Sequence, residues 1–172
     1  MTDFARSRRW SVAYHAQACS DFMVFELLCA SAVPPCHALH YLQMAAEKTA
    51  KAYALAWEPT RDPEDVQCHA VIVPFVQNFL RRPNAGRRWR SNSYAIAAER
   101  KRVAGVAREI ELLAPAVDSV RSPRNAEYAW EVAENVIAPV FETFGDLALR
   151  SRDMVRFLKT IRMAIDEFRP EP

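Results

Sequence analysis

Cysteine and histidine residues gather in two short segments, Cys36-His37 with His40 and Cys68-His69. Residues 36 and 40 are one helical turn apart, so with Cys68 they would present the sulfur and nitrogen ligands that zinc prefers. No familiar zinc spacing is present, however, and adjacent residues on a helix point about 100° apart. We therefore expect no metal and no cofactor, with Cys36 and Cys68 as small core residues and the histidines at an interface.

A second group of residues combines arginines with one tryptophan. Such a mixture suits single-stranded nucleic acid, because the cations pair with phosphates while the ring stacks on bases. Two other interpretations are a solvated loop whose arginines pair with acidic neighbours and a surface for an acidic protein partner. The candidate nucleic-acid or partner-binding residues are Arg81, Arg82, Arg87, Arg88, Trp89 and Arg90.

The composition of the 172-residue chain excludes several classes of protein. It has 23 Lys and Arg against 21 Asp and Glu, and a net charge of +2 excludes a histone-like polycation. Only three glycines are present, which excludes a P-loop or Rossmann fingerprint and, with abundant alanine, favours helices. No apolar run of about 18 residues and no secretory signal is found. We therefore expect a cytoplasmic protein with reduced, buried thiols and no membrane segment.

Apolar residues that recur at three- and four-residue spacings predict five helices. Their expected ranges are 9–32, 35–57, 63–82 with a kink or break at Pro74, 93–113 and 144–168. Residues 115–143 form an irregular insertion, in which the segment AWEVAENVIAPV is either a strand pair or a helical turn. The predicted fold is all-α, a single domain over residues 1–172 built as an antiparallel up-and-down bundle of about five helices.

The second predicted helix carries the most specific pattern in the chain. The segment Gln43-Met44-Ala45-Ala46-Glu47-Lys48, followed by Lys51-Ala52, resembles the Q-x-A-E-K-x-x-K-A helix of the HEPN domains, named for higher eukaryotes and prokaryotes nucleotide binding. Asp21 matches an acidic position of the family, and residues 124–128 resemble a short turn before its last helices. The resemblance is good over the first third of the chain. Over the rest of the chain only the order of the helices matches. It implies a helical bundle, usually a homodimer.

Many HEPN proteins are metal-independent ribonucleases whose motif is an Arg followed, four to six residues later, by a His at the dimer interface. Histidine moves protons near neutral pH, whereas arginine only stabilises charge on the phosphate. This sequence has no histidine after His69, so Arg124 lacks that partner. The spacing recurs only near Arg9 and His15, in the first helix. We therefore expect the ribonuclease pair to be missing, and the remaining catalytic candidates are Arg124, Tyr128, Arg9 and His15.

The resemblance and the missing histidine together predict a HEPN-like helical protein that works by association. Its expected role is an interaction or accessory subunit in toxin–antitoxin or antiviral defence, as a homodimer with a partner protein encoded nearby. Two alternatives stay open. One is a divergent endoribonuclease that uses Arg124 and Tyr128, or Arg9 and His15. The other is a non-catalytic module that binds RNA or a nucleotide.

Overall fold

The computed structural model describes residues 3–82 and 93–169. The α-helices in these ranges are α1 Asp3–Cys29, α2 Pro35–Trp57, α3 Ile72–Phe79, α4 Ser93–Glu111, α5 Pro115–Asp118 and α6 Arg152–Glu167. The chain also forms 3₁₀ turns at Pro63–Val66, Pro139–Phe141 and Gly145–Leu147, and one antiparallel strand pair, β1 Trp130–Val132 and β2 Asn135–Ile137. The predicted all-α class is confirmed. None of the described helices has both the length and the hydropathy that crossing a membrane requires.

Helices α1 and α2 form a long antiparallel hairpin whose contact surface is made of small side chains. The Ser11 hydroxyl donates to the carbonyl of Ala52 at 3.0 Å, and the Ser7 hydroxyl donates to the carbonyl of Leu55 at 3.4 Å. Both serines are fully buried, as are alanines of both helices. Because these side chains are short, the two backbones can approach closely, as the alanine content of α2 predicts.

Helix α2 is the central element, since it packs against α1, α3, α4 and α6. Its Tyr53 ring lies within an aromatic cluster that includes Phe75, Phe79 and Phe168. The Tyr53 hydroxyl donates to the carbonyl of Ala164 at 2.8 Å, which ties α2 to α6. Burial raises the pKa of the Tyr53 phenol, so this group remains a neutral donor.

The helix predicted over 63–82 is split, but at another place than expected. The break lies at residues 67–71, whereas Pro74 lies in the first turn of α3, where a missing amide hydrogen costs nothing. The side chain of Val71, the N-cap residue of α3, does not cap this helix. Glu111 of α4 does so instead, because its Oε1 accepts from the amides of Ile72 at 2.7 Å and Val73 at 3.2 Å.

The irregular insertion begins where predicted but extends to residue 151. The segment AWEVAENVIAPV forms the strand pair, one of its two predicted alternatives, while the helical turn α5 lies earlier in the insertion. Ala133 and Glu134 form the hairpin turn, both at positive φ, as a tight two-residue connection requires. The last helix therefore begins at Arg152 rather than at residue 144. Ser151 caps it, because its Oγ accepts from the amide of Met154 at 3.2 Å.

Candidate functional site

A cleft of about 560 Å³ opens beside the first half of α2. This volume lies in the range of small-molecule sites. One wall is a single face of α2, and the others come from the loop before α3, residues 114–116 at the start of α5, and the turn at residues 127–128. The α2 residues follow i, i+3, i+4, i+7, i+8 spacing, which places them on one side of the helix: His40, Gln43, Met44, Glu47 and Lys48.

One end of the cleft is built around the carboxylate of Glu47. Gln43 Nε2 donates to Glu47 Oε2 at 2.8 Å, Lys51 Nζ donates to Oε1 at 2.6 Å, and His69 Nδ1 donates to Oε2 at 3.0 Å. Burial by itself raises the pKa of Glu47, but these hydrogen bonds, led by that from Lys51, outweigh it and lower the pKa. Glu47 is therefore ionised, and it fixes the His69 ring so that Nε2 is the free ring nitrogen.

The other end of the cleft is formed by His40, Glu127 and Tyr128. Asn125 sets the turn that places the last two, because its Oδ1 accepts from the amides of Glu127 at 2.9 Å and Tyr128 at 2.6 Å. His40 Nδ1 lies 3.5 Å from Glu127 Oε1, and this buried nitrogen makes no hydrogen bond within the described residues. The Glu127 carboxylate is thus held near an imidazole without being bound by it.

Lys48, which also lines the cleft, is already paired. Its Nζ lies 2.5 Å from Asp21 Oδ2, and Gln17 Nε2 donates to the other Asp21 oxygen at 2.9 Å. Asp21 is buried and so needs such partners. The acidic position that resembles the HEPN pattern therefore joins α1 to α2 behind the cleft.

The first predicted catalytic pair, Arg9 and His15, does not converge. Six residues separate them on one continuous helix, which turns their side chains about 120° apart. His15 Nε2 lies 2.9 Å from the carbonyl oxygen of Ile165, and its ring stacks on Phe168 with centroids 4.4 Å apart. His15 thus joins α1 to α6, and Cys19 Sγ lies 3.6 Å from it.

The second predicted pair, Arg124 and Tyr128, is also separated by its contacts. Arg124 donates two hydrogen bonds to Asp146, at 2.9 and 2.6 Å, and its guanidinium lies over the Phe144 ring at 5.5 Å. The pKa of Asp146 is lowered, chiefly by the hydrogen bond from Arg124. Tyr128 is 65% exposed at the rim of the cleft. Arg124 therefore stabilises the irregular insertion through Asp146 and Phe144. Of the pair, only Tyr128 lines the cleft.

The arginine-rich group is described only at its start. Arg82 stacks on Trp57, with the guanidinium 3.9 Å from the ring centroid, and Arg81 is exposed. Arg87, Arg88, Trp89 and Arg90 lie outside the described residues. The prediction of a nucleic-acid or partner surface here stays a prediction.

The five residues considered for zinc do not form a ligand set within ranges 3–82 and 93–169. Cys36 is buried as expected, but Cys68 is exposed, so the expectation that both are core residues is wrong for Cys68. Cys29 is exposed as well, which corrects the expectation of buried thiols. Cys68 is exposed because the helix predicted over this region is interrupted there by an open loop.

A separate feature is an exposed apolar stripe along the outer side of α1. Its large members are Val12, Met23 at 63% exposure and Leu27 at 65% exposure. Ala16 and Ser20, also exposed, continue the stripe at helical spacing. These five residues include no charge, and they span about 22 Å along the helix axis.

Sequence reasoning named most of the cleft residues without assembling them. His40 and His69 entered as zinc candidates, and Gln43, Glu47 and Lys48 entered as a family-like pattern. Glu127 was outside every group of candidate site residues. The available signal was the periodicity of the α2 pattern, since polar residues at i, i+3, i+7 and i+8 on a mostly buried helix need partners.

Together these features define an all-α protein with a polar cleft beside its central helix. No model of a known protein family matches the chain, and comparison with curated proteins and with solved structures gives no match. The resemblance of α2 to HEPN domains therefore stays a prediction.

Proposed function

We propose that this protein is a HEPN-like helical module that works by association, with the outer stripe of α1 as the surface that joins two copies. In that role it serves as an interaction or accessory subunit, in the toxin–antitoxin or antiviral defence context that the resemblance implies. The single observation that carries the proposal is the uncharged, exposed stripe formed by Val12, Ala16, Ser20, Met23 and Leu27. Exposed apolar patches of this kind mark interaction sites.

The stripe is complementary to itself in an antiparallel arrangement. A two-fold axis between residues 21 and 22 would place Leu27 of one copy opposite Ala16 of the other, and Met23 opposite Ser20. Met23 and Leu27 then each meet a small side chain, which lets the two helices approach closely. A second copy of this chain is therefore the occupant that the order of residues along the stripe favours.

The contacts of the candidate catalytic residues also support association over ribonuclease chemistry. His15 is held by the Ile165 carbonyl and the Phe168 ring, and Arg124 is held by Asp146. A proton-transfer role for His15 would require these contacts to break. The endoribonuclease alternative is tested by an RNA-cleavage assay on the wild type, His15→Ala and Arg124→Ala, in which cleavage lost with either variant would favour it.

The association proposal is tested by sedimentation velocity over a concentration series. The wild type should form a dimer, and Leu27→Glu should be monomeric because the carboxylate would be buried against Ala16 of the other copy. Val120→Glu is the matched control, since Val120 is 92% exposed and is not part of the stripe. It should dimerise like the wild type.

A charge-pair variant tests the register. Ala16→Lys combined with Leu27→Glu should restore the dimer, because each introduced carboxylate would face an introduced ammonium across the two-fold axis. Within one chain the two positions are about 16 Å apart along α1, so they cannot pair with each other. A wild type that is monomeric at every concentration, or a Leu27→Glu variant that dimerises normally, would contradict the proposal.

A further inference from the structure

We propose that the cleft beside α2 binds a small organic cation: a primary amine or guanidinium carried on an apolar stem, with a hydrogen-bond donor at its far end. This site is independent of the α1 stripe. The proposal rests on four properties of the cleft, which are its charge balance, its free acceptors, its apolar wall and its exposed aromatic ring.

The charge balance of the cleft is negative. The charged residues that line it are Glu47, Lys48 and Glu127. Glu47 is neutralised by Lys51 at 2.6 Å, and Lys48 is neutralised by Asp21 at 2.5 Å. Glu127, whose nearest basic group is His40 Nδ1 at 3.5 Å, is then the one charge of the three without a Lys or Arg partner in the described residues, so the cleft attracts a single positive charge and repels phosphates.

The free hydrogen-bonding groups of the cleft are acceptors. Both oxygens of Glu47 already accept bonds, whereas no hydrogen bond to the Glu127 carboxylate is found in the described part of the chain. At the opposite end His69 contacts Glu47 through Nδ1, and in the neutral tautomer whose Nδ1 donates, Nε2 is an acceptor. A bound molecule is therefore expected to donate at both ends.

The shape of the cleft fits such a molecule. His40 and Glu47, which lie at the two ends of the cleft, are seven residues apart on α2. The two ends of the cleft are therefore about 10 Å apart along the helix axis. Met44 lies between them on α2, and with Ala114 and Pro115, which also line the cleft, it offers an apolar wall for an alkyl stem. Tyr128 stands at the rim beside Glu127, where its ring face can contact a cation.

The anionic ligands are disfavoured by the same contacts. No arginine is among the cleft-lining residues of the described ranges, and the one lysine, Lys48, is held by Asp21. A nucleotide phosphate would have to approach Glu127 without a free cation to balance it. A nucleotide is thus the competing outcome of the test rather than the expected ligand.

The test uses 5-amino-1-pentanol, which has one ammonium, an alkyl stem and one hydroxyl donor. Its uncharged counterpart is 1,5-pentanediol, and adenosine monophosphate is the anionic probe. Each is titrated into the labelled full-length protein while amide signals are followed by NMR. The aminoalcohol should shift signals around residues 40–48, 69 and 127–128, and it should bind about tenfold more tightly than the diol, the order expected for one charged hydrogen bond.

The variants distinguish binding in the cleft from binding elsewhere on the surface. Glu127→Gln should weaken aminoalcohol binding about tenfold while leaving the diol unchanged. Glu131→Gln, an exposed carboxylate on β1 outside the cleft, should bind like the wild type. Tyr128→Leu should weaken binding and Tyr128→Phe should retain it, because the ring face and not the hydroxyl contacts the cation. Circular dichroism checks that each variant folds.

Three results would overturn the proposal. They are the absence of aminoalcohol binding, aminoalcohol binding that Glu127→Gln leaves unchanged, and tighter binding of adenosine monophosphate than of the aminoalcohol. Because no variant touches α1, the outcome is independent of whether the chain dimerises through its stripe.

Discussion

Replacement of Glu47 by Gln should destabilise the protein by leaving a buried lysine without its counter-charge. The side chains of Glu47 and Lys51 are only 10% and 7% exposed, and their charged atoms lie 2.6 Å apart. Removing one partner of a buried ion pair costs about 3–5 kcal/mol. Lys51 keeps a carbonyl acceptor on Gln67 at 3.4 Å, so we expect the lower end, about 3 kcal/mol.

The measurement is urea unfolding followed by circular dichroism. The free energies of unfolding of the wild type and Glu47→Gln are compared with one common m-value, the slope of the free energy against urea concentration. The double variant Glu47→Gln with Lys51→Met should recover most of the loss, because it removes the charge that the single variant leaves unpaired. Glu58→Gln is the control: its pair with Arg61 is exposed and 3.4 Å long, so the change should cost under about 0.5 kcal/mol.

A loss below about 1 kcal/mol for Glu47→Gln would contradict this prediction, since that value is typical of exposed pairs. A double variant no more stable than the single one would also refute it. In that case the hydrogen bonds from Gln43 and His69, rather than the charge of Lys51, would account for the effect.

Further expectations concern α3, the insertion and the core. Glu111→Ala should lower the free energy of unfolding by about 2 kcal/mol, because it removes the buried oxygen that accepts from the first amides of α3, and amide exchange of residues 72–76 should accelerate. Asp146→Asn should cost about 0.5 kcal/mol at neutral pH, since its pair with Arg124 is partly exposed. Folding lowers the pKa of Asp146 from its ordinary value of 3.8. The stability difference is therefore fully present at pH values above 3.8, and it vanishes as the pH falls through the pKa of the folded state. Urea unfolding at several pH values measures this dependence. Leu42→Ala, at a fully buried position of α2, should cost about 3 kcal/mol and lower Tm by about 9 °C in calorimetry.

Features of the fold that depend on a few neighbouring residues were predictable from the sequence. Both ends of α2 were predicted, since Pro35 suits a first helical position and the loop after Trp57 ends the apolar pattern. The Glu47–Lys51 pair follows from i,i+4 spacing, and Asp62 caps the Pro63 turn as its type and place predict. The last helix was predicted too long, because the apolar residues that bury the 3₁₀ turn at 145–147 continue its periodicity.

The cleft, by contrast, was decided by tertiary packing. Glu47 accepts from His69, 22 residues away, and the cap of α3 comes from Glu111, 39 residues away. Neither contact leaves a mark in local spacing, because hydrogen-bonding partners are chosen by which surfaces the packed helices bring together. Helical spacing alone dictates which residues of α2 share a face. Only the packing of the His69 loop and the Asn125 turn against that face made it one wall of a cleft, since buried polar groups take whichever partners the assembled core brings within reach.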